Sequence, residues 1–158
     1  MGQCYARRAN TDRAGYSARP VHFELIDHII EQEPDRIVAI KNVTAAEEYL
    51  QDHFPTFPVL PGVLMIEALV QAGRRLAEAR GLGTRCVLGG VKALKYGAFV
   101  SPGETLRVEV SLLGVSDDGV CSMKGVARRM IPGQTPDETI PASVSGRFTL
   151  RPVRLLTA

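Results

Sequence analysis

Two hydrophobic periods run along the chain. Thr105–Leu113 repeats every second residue, with Leu106, Val108, Val110 and Leu112 on one face and Arg107, Glu109 and Ser111 on the other. That is a strand with one face on a core. Ile26–Glu33 and Arg36–Val43 are β-rich runs on either side of the turn pair Pro34-Asp35, and they predict a hairpin. Asp117-Asp118-Gly119 joins the Thr105 strand to Val120–Met130 in a second hairpin. Arg85–Leu94 is a further strand, in which Gly89-Gly90 marks a bulge or a close backbone approach. Ser143–Arg151 is the last.

Between the second and third strands the period changes. Ala45–Leu50 predicts a short helix. Pro55, Pro58 and Pro61 then forbid a regular element from His53 to Gly62. Pro61 to Arg80 predicts one long helix, with Pro61 at its first position, where a missing N–H costs nothing, and with Gly81 and Gly83 ending it. Its first half, Val63–Val70, is apolar on nearly every side, and its second half is amphipathic. A helix apolar all round must be enclosed by protein. The order β-β-α-β-β-β-β therefore predicts an α+β fold, an antiparallel sheet wrapped around one long buried central helix.

Composition narrows the function classes. A chain of 158 residues suits one domain, which we place at 20–158 behind a loosely ordered tail at 1–19. The net charge of +2, 6% aromatics and no Trp give no argument for nucleic-acid binding. No run approaches the roughly 20 apolar residues of a membrane span. Met1–Pro20 is polar and dotted with arginine, unlike a secretory signal. Cys4, Cys86 and Cys121 are odd in number and far apart, which suggests a reducing, cytoplasmic setting rather than a disulfide framework. His22 and His28 have no ligand-like spacing to His53, so no metal or other cofactor is expected.

The candidate chemistry lies where the proline-rich loop meets the helix. Glu67 is the only acid between Asp52 and Glu78, in the most apolar part of the helix. A carboxylate buried without partners is costly, so Glu67 is expected to be protonated or hydrogen-bonded, and Gln71, four residues on, is placed to orient it. Alone, it also reads as a core acid satisfied by Gln71 and backbone. His53, before Phe-Pro, alone reads as a turn or packing residue. At the helix start Leu60 offers no capping oxygen and Pro61 no N–H, so Gly62 and Val63 carry the first free donors, at the positive end of the helix dipole. That is the outline of an oxyanion site.

His53-Phe54-Pro55-x-x-Pro58-Val59-Leu60-Pro61-Gly62-Val63-Leu64, followed by Glu67-Ala68-Leu69-x-Gln71-Ala72, closely resembles the signature of the β-hydroxyacyl-acyl carrier protein dehydratases of type II fatty-acid synthesis. Arg36–Thr44, Gly90-Val91, Lys95-Tyr96, Pro102-Gly103 and Lys124–Ala127 extend the likeness. The resemblance implies the hotdog fold and dehydration of (3R)-hydroxyacyl thioesters on acyl carrier protein. It makes His53 the base for the α-proton and Glu67 the acid for the β-hydroxyl, with the Gly62 amide polarising the thioester carbonyl. It further implies a homodimer with His53 of one subunit facing Glu67 of the other, often assembled as a trimer of dimers. Leu60, Leu64, Tyr96 and Phe99 are candidate acyl-tunnel lining. Lys92, Lys95, Arg128 and Arg129 are candidates for docking the acidic carrier. Two departures stand out. Asp52 replaces the family's Gly before the histidine, and Gly97-Ala98-Phe99 replaces its Arg-Arg-Pro. Two other readings compete: a hotdog thioesterase using Glu67 as base or nucleophile, and a non-catalytic carrier-binding subunit.

Overall fold

The computed structural model describes residues 23–82, 85–133 and 139–153, so the tail at 1–19 lies outside the described residues. Strands β1 (His28–Gln32), β2 (Arg36–Asn42), β3 (Cys86–Tyr96), β4 (Thr105–Val115), β5 (Cys121–Met130) and β6 (Val144–Pro152) form one antiparallel sheet in the order β1-β2-β4-β5-β6-β3. Helix α1 (Gly62–Ala79) lies across β2, β4, β5 and β6.

Register follows from the period-two pattern. Ala39 pairs with Val108 and Val108 with Ala127, and Ile37 pairs with Val110 and Val110 with Gly125. These rows face the helix. On α1 the positions Met65, Leu69, Ala72, Gly73 and Leu76 are buried, the spacing of one helix face. Full burial of a Leu or Val contributes about 1.5–3 kcal/mol each. Helix and sheet meet closely because two glycines allow it. A Cβ on Gly125 would lie 2.8 Å from a Leu69 methyl, and one on Gly73 would lie 2.7 Å from the Met123 sulfur.

The helix ends at Gly81, as its sequence predicts, while Gly83 lies outside the described residues. Gly81 adopts φ 69°, its N–H donates to the Glu78 carbonyl at 2.9 Å, and the Leu82 N–H donates to that of Ala77 at 2.9 Å. The start differs by one residue. Pro61 is the N-cap, with an extended ψ of 136°, and Gly62 is the first helical residue. The Ala45–Leu50 helix shrinks to a 3-10 turn at Glu48–Leu50. The third strand runs on to Tyr96 through two register shifts, at Leu88/Gly90 and Lys92/Lys95, with Ala93 at φ 52° in the second.

Enclosure of the helix is partial. Leu69 is 2% exposed, but Val63 is 69% exposed, so within one chain the first turn is open on one side. Strand β3 runs alongside the helix, with Tyr96 against Gly62 and Cys86 against Arg74; among the described residues it pairs only with β6 and is exposed along most of its length.

Candidate active site

The Asp52–Val59 segment folds back on itself. The Val59 N–H donates to the His53 carbonyl at 3.1 Å, and the Phe57 N–H to that of Phe54 at 3.0 Å. The His53 ring stacks on Phe54 with centroids 4.5 Å apart, and its Nδ1 lies 2.9 Å from the Val59 carbonyl oxygen. A carbonyl only accepts, so Nδ1 carries the hydrogen and Nε2 holds a free lone pair. Val59 thus pins the ring; no hydrogen bond or ion pair joins Asp52 to it.

His53 opens onto a cavity of about 180 Å³ whose walls are almost wholly apolar. Leu60, Tyr96 and Phe99 line it, as expected of acyl-tunnel candidates; Leu64 does not, and packs half-buried against the core instead. Leu64 follows Leu60 by four positions, but only Leu60 precedes the helix, where the loop turns it toward the cavity. Met65 and Ser143 are lining residues that the sequence did not single out. Met65 lies in the apolar run of the helix, and Ser143 opens the last predicted strand, so neither position points to a cavity wall. The Ser143 hydroxyl is buried without a hydrogen-bond partner among the described residues. Burial also pushes the Tyr96 phenol above its ordinary pKa. Phe57 meets Phe99 edge-to-face at 5.7 Å, tying the histidine loop to the chain that leaves β3.

Gly62 lines the same cavity, and its N–H has no acceptor among the described residues. Pro61 supplies the first helical carbonyl, which takes the N–H groups of Leu64 at 2.9 Å and Met65 at 3.2 Å. A Cβ here would lie 2.7 Å from the Tyr96 ring, so any other residue would have to displace that ring from the cavity wall.

Glu67 lies elsewhere. Five residues after Gly62, it points about 140° away around the helix and does not line the His53 cavity. Its side chain is 34% exposed rather than fully buried. Gln71 Nε2 donates to Oε1 at 3.1 Å, as the i, i+4 spacing predicts. A second donor was not anticipated: Arg74 Nη1, at 3.1 Å from the same oxygen. The signal existed in the 67, 71, 74 spacing, but an arginine in an amphipathic segment reads first as a solvated face.

The four docking candidates do not form one patch. Arg128 and Arg129 are successive strand residues and face opposite sides of the sheet. Arg128 donates to the Ile140 carbonyl at 3.1 Å, while Arg129 lies 3.6 Å from Glu104. Lys92 and Lys95 are exposed and have no ion-pair partner among the described residues. Among the described residues no group of His, Cys, Asp and Glu is arranged to hold a metal ion, and no helix is long and apolar enough to cross a membrane.

Comparison with known proteins identifies the family and the fold. Residues 18–135 match the family described as the FabA-like domain. The chain is 44% identical over 105 residues to the 3-hydroxyacyl-acyl-carrier-protein dehydratase FabZ of Ruminiclostridium cellulolyticum, covering 65% of this chain and 73% of that one. The fold is shared, at a TM-score of 0.59, with the dehydratase heterocomplex ApeI:P of Xenorhabdus doucetiae (18% identity, 83% of this chain and 84% of that one). It is shared equally, at 0.59, with a hypothetical thioesterase of Streptococcus pneumoniae in complex with coenzyme A (12% identity, 80% and 84%). At those identities the structural likeness speaks for the hotdog architecture and not for one reaction. The family profile and the sequence relatives together decide the matter: this chain belongs to the FabA-like family of hotdog-fold proteins.

Proposed function

We propose that the protein is a hydro-lyase that dehydrates (3R)-hydroxyacyl-acyl carrier protein to the trans-2-enoyl thioester, in an active site completed across a homodimer. One observation carries the reading. His53, with Nε2 free, shares an apolar cavity with the unpartnered N–H of Gly62, while Glu67 faces the open side of the same helix. The relatives named FabZ support the substrate class.

His53 Nε2 takes the α-proton. The charge that develops on the thioester oxygen meets the Gly62 N–H at the positive end of α1, a donor already in place before reaction. The electron pair of the broken C–H bond forms the double bond, the β-carbon–oxygen bond breaks, and Glu67 protonates the departing hydroxyl, which leaves as water. The elimination is redox-neutral, so these groups suffice.

A dimer explains the incomplete parts. Among the described residues β3 is an eleven-residue edge strand, and such an edge is a liability unless another chain covers it. Leu88, Val91 and Val63 are exposed apolar residues on this side of the molecule. A second copy seated here brings its Glu67 to the His53 cavity of the first, which a single chain does not achieve. Hydrolysis of a thioester does not require this pairing of a base with an acid.

The test is mass spectrometry of a panel of (3R)-hydroxyacyl carrier proteins after incubation with the protein. Loss of water is the expected result. Release of the free acid would make the protein a thioesterase, and an unchanged panel would leave only a binding role.

A further inference from the structure

Glu67 is held by one oxygen. Oε1 accepts from Gln71 Nε2 and from Arg74 Nη1, each at 3.1 Å, and Oε2 has no partner among the described residues. Neither donor is free to turn away. The Leu25 N–H, which can only donate, meets Gln71 Oε1 at 2.7 Å and so fixes the amide with its nitrogen outward, toward the Phe23 carbonyl at 2.9 Å and Glu67. Arg74 divides its guanidinium, with Nε on the Cys86 carbonyl at 2.9 Å and Nη1 on Glu67. The acid is thereby tied to the first residue of β3, the strand whose other edge is unpaired among the described residues.

We propose that Arg74 is a positioning residue for the acid catalyst, and that with Gln71 it makes Oε2 the oxygen that carries and delivers the proton. This rests on the reading of Glu67 as the acid. An oxygen already accepting two N–H groups has no lone pair left for a proton that must point at substrate, so the protonated carboxyl is O–H at Oε2. In the elimination the Oε2–H bond breaks and the proton joins the β-hydroxyl oxygen as its bond to carbon breaks. Glu67 is left as a carboxylate, and the Arg74 charge beside Oε1 stabilises it as it forms. Lysine cannot replace this arrangement, since a single ammonium does not span both the Cys86 carbonyl and the carboxylate.

Arg74→Ala should lower kcat on a hydroxyacyl carrier about 10- to 100-fold, the scale of an ångström of misplacement, with little change in KM. Arg74→Lys should fall between the two, and guanidinium ion added to Arg74→Ala should restore part of the rate. The decisive arm is the double variant. Glu67→Gln/Arg74→Ala should turn over no more slowly than Glu67→Gln alone, because Arg74 acts only through the proton that Gln lacks. A purely structural arginine would give additive losses and no rescue, and either result overturns the proposal. So would an Arg74→Ala enzyme within twofold of wild type beside a crippled Glu67→Gln. If Arg74→Ala does not fold, Arg74→Gln takes its place in the same cycle. Full activity in Glu67→Gln would instead remove the acid assignment itself, and the role of Arg74 with it.

Discussion

Val59 and Gln71 set the chemistry of the two residues they touch. The Val59 carbonyl leaves His53 basic at Nε2, and Gln71 holds Glu67 on the far side of the helix. His53→Ala and Glu67→Gln should each lower kcat by about 10²–10⁴ while far-ultraviolet circular dichroism stays unchanged, since general acid–base groups contribute on that scale. Retention of more than a tenth of wild-type turnover by either would remove that residue from the mechanism. Glu67 and Gly62 stood out as candidates in the sequence because each breaks a local rule, one as an acid in an apolar run and the other at a helix start without a cap. His53 alone reads as a turn or packing residue, and became a candidate only through the family resemblance. Arg74 and Ser143 broke no rule. The first looks like surface and the second like the start of a strand, and only the folded geometry puts one on the acid and the other at the cavity wall.

Helix and sheet elements were legible where one face is apolar and the other polar. Strand β4 shows this best, with Leu106, Val108 and Val110 buried and Arg107 and Glu109 outward. Pro61 misled by one position, because its fixed φ suits both the first helical residue and an extended cap. The contact of α1 with β5 turns on Gly125, so Gly125→Ala should cost about 1–3 kcal/mol by overpacking Leu69, read from urea denaturation. No loss would mean that Leu69 has room to move. On the opposite face Arg36 bridges Glu31 of β1 at 2.7 Å and Glu109 of β4 at 3.0 Å. Arg36, then Arg107, hold the Glu109 carboxyl below its ordinary pKa against the opposing effect of burial. Its folded pKa is the lower one, so the stabilisation is complete above the unfolded value and is lost as pH falls through the folded one. Glu109→Gln should therefore flatten the acid side of the stability–pH curve and leave its neutral slope alone. An unchanged acid limb in thermal melts from pH 7 to pH 3 would show that the clamp contributes nothing.

At the scale of the whole molecule, the sequence held fewer clues, because a single chain does not say what covers its open side. The period of β3 is broken by two bulges, and only the structure shows that nearly all of it is exposed. Lys92 and Lys95, on this strand, are exposed, while Arg128 and Arg129 are engaged elsewhere, so the proposal that an acidic carrier docks through a basic rim falls to the two lysines. KM for carrier-bound substrate should rise with ionic strength, as charges more than about 8 Å apart are screened at physiological salt, and Lys95→Glu should raise it at low salt. A KM flat in salt and unmoved by Lys95→Glu would place the carrier on another face. The central claim is that His53 and Glu67 of different subunits make one site, and subunit mixing addresses it directly. His53→Ala and Glu67→Gln chains, each nearly inactive, are exchanged until mixed dimers form. About half the dimers are then mixed, each with one intact and one doubly defective site, so roughly a quarter of wild-type activity should return. No recovery despite demonstrated exchange would put both residues to work within one chain and contradict the shared site.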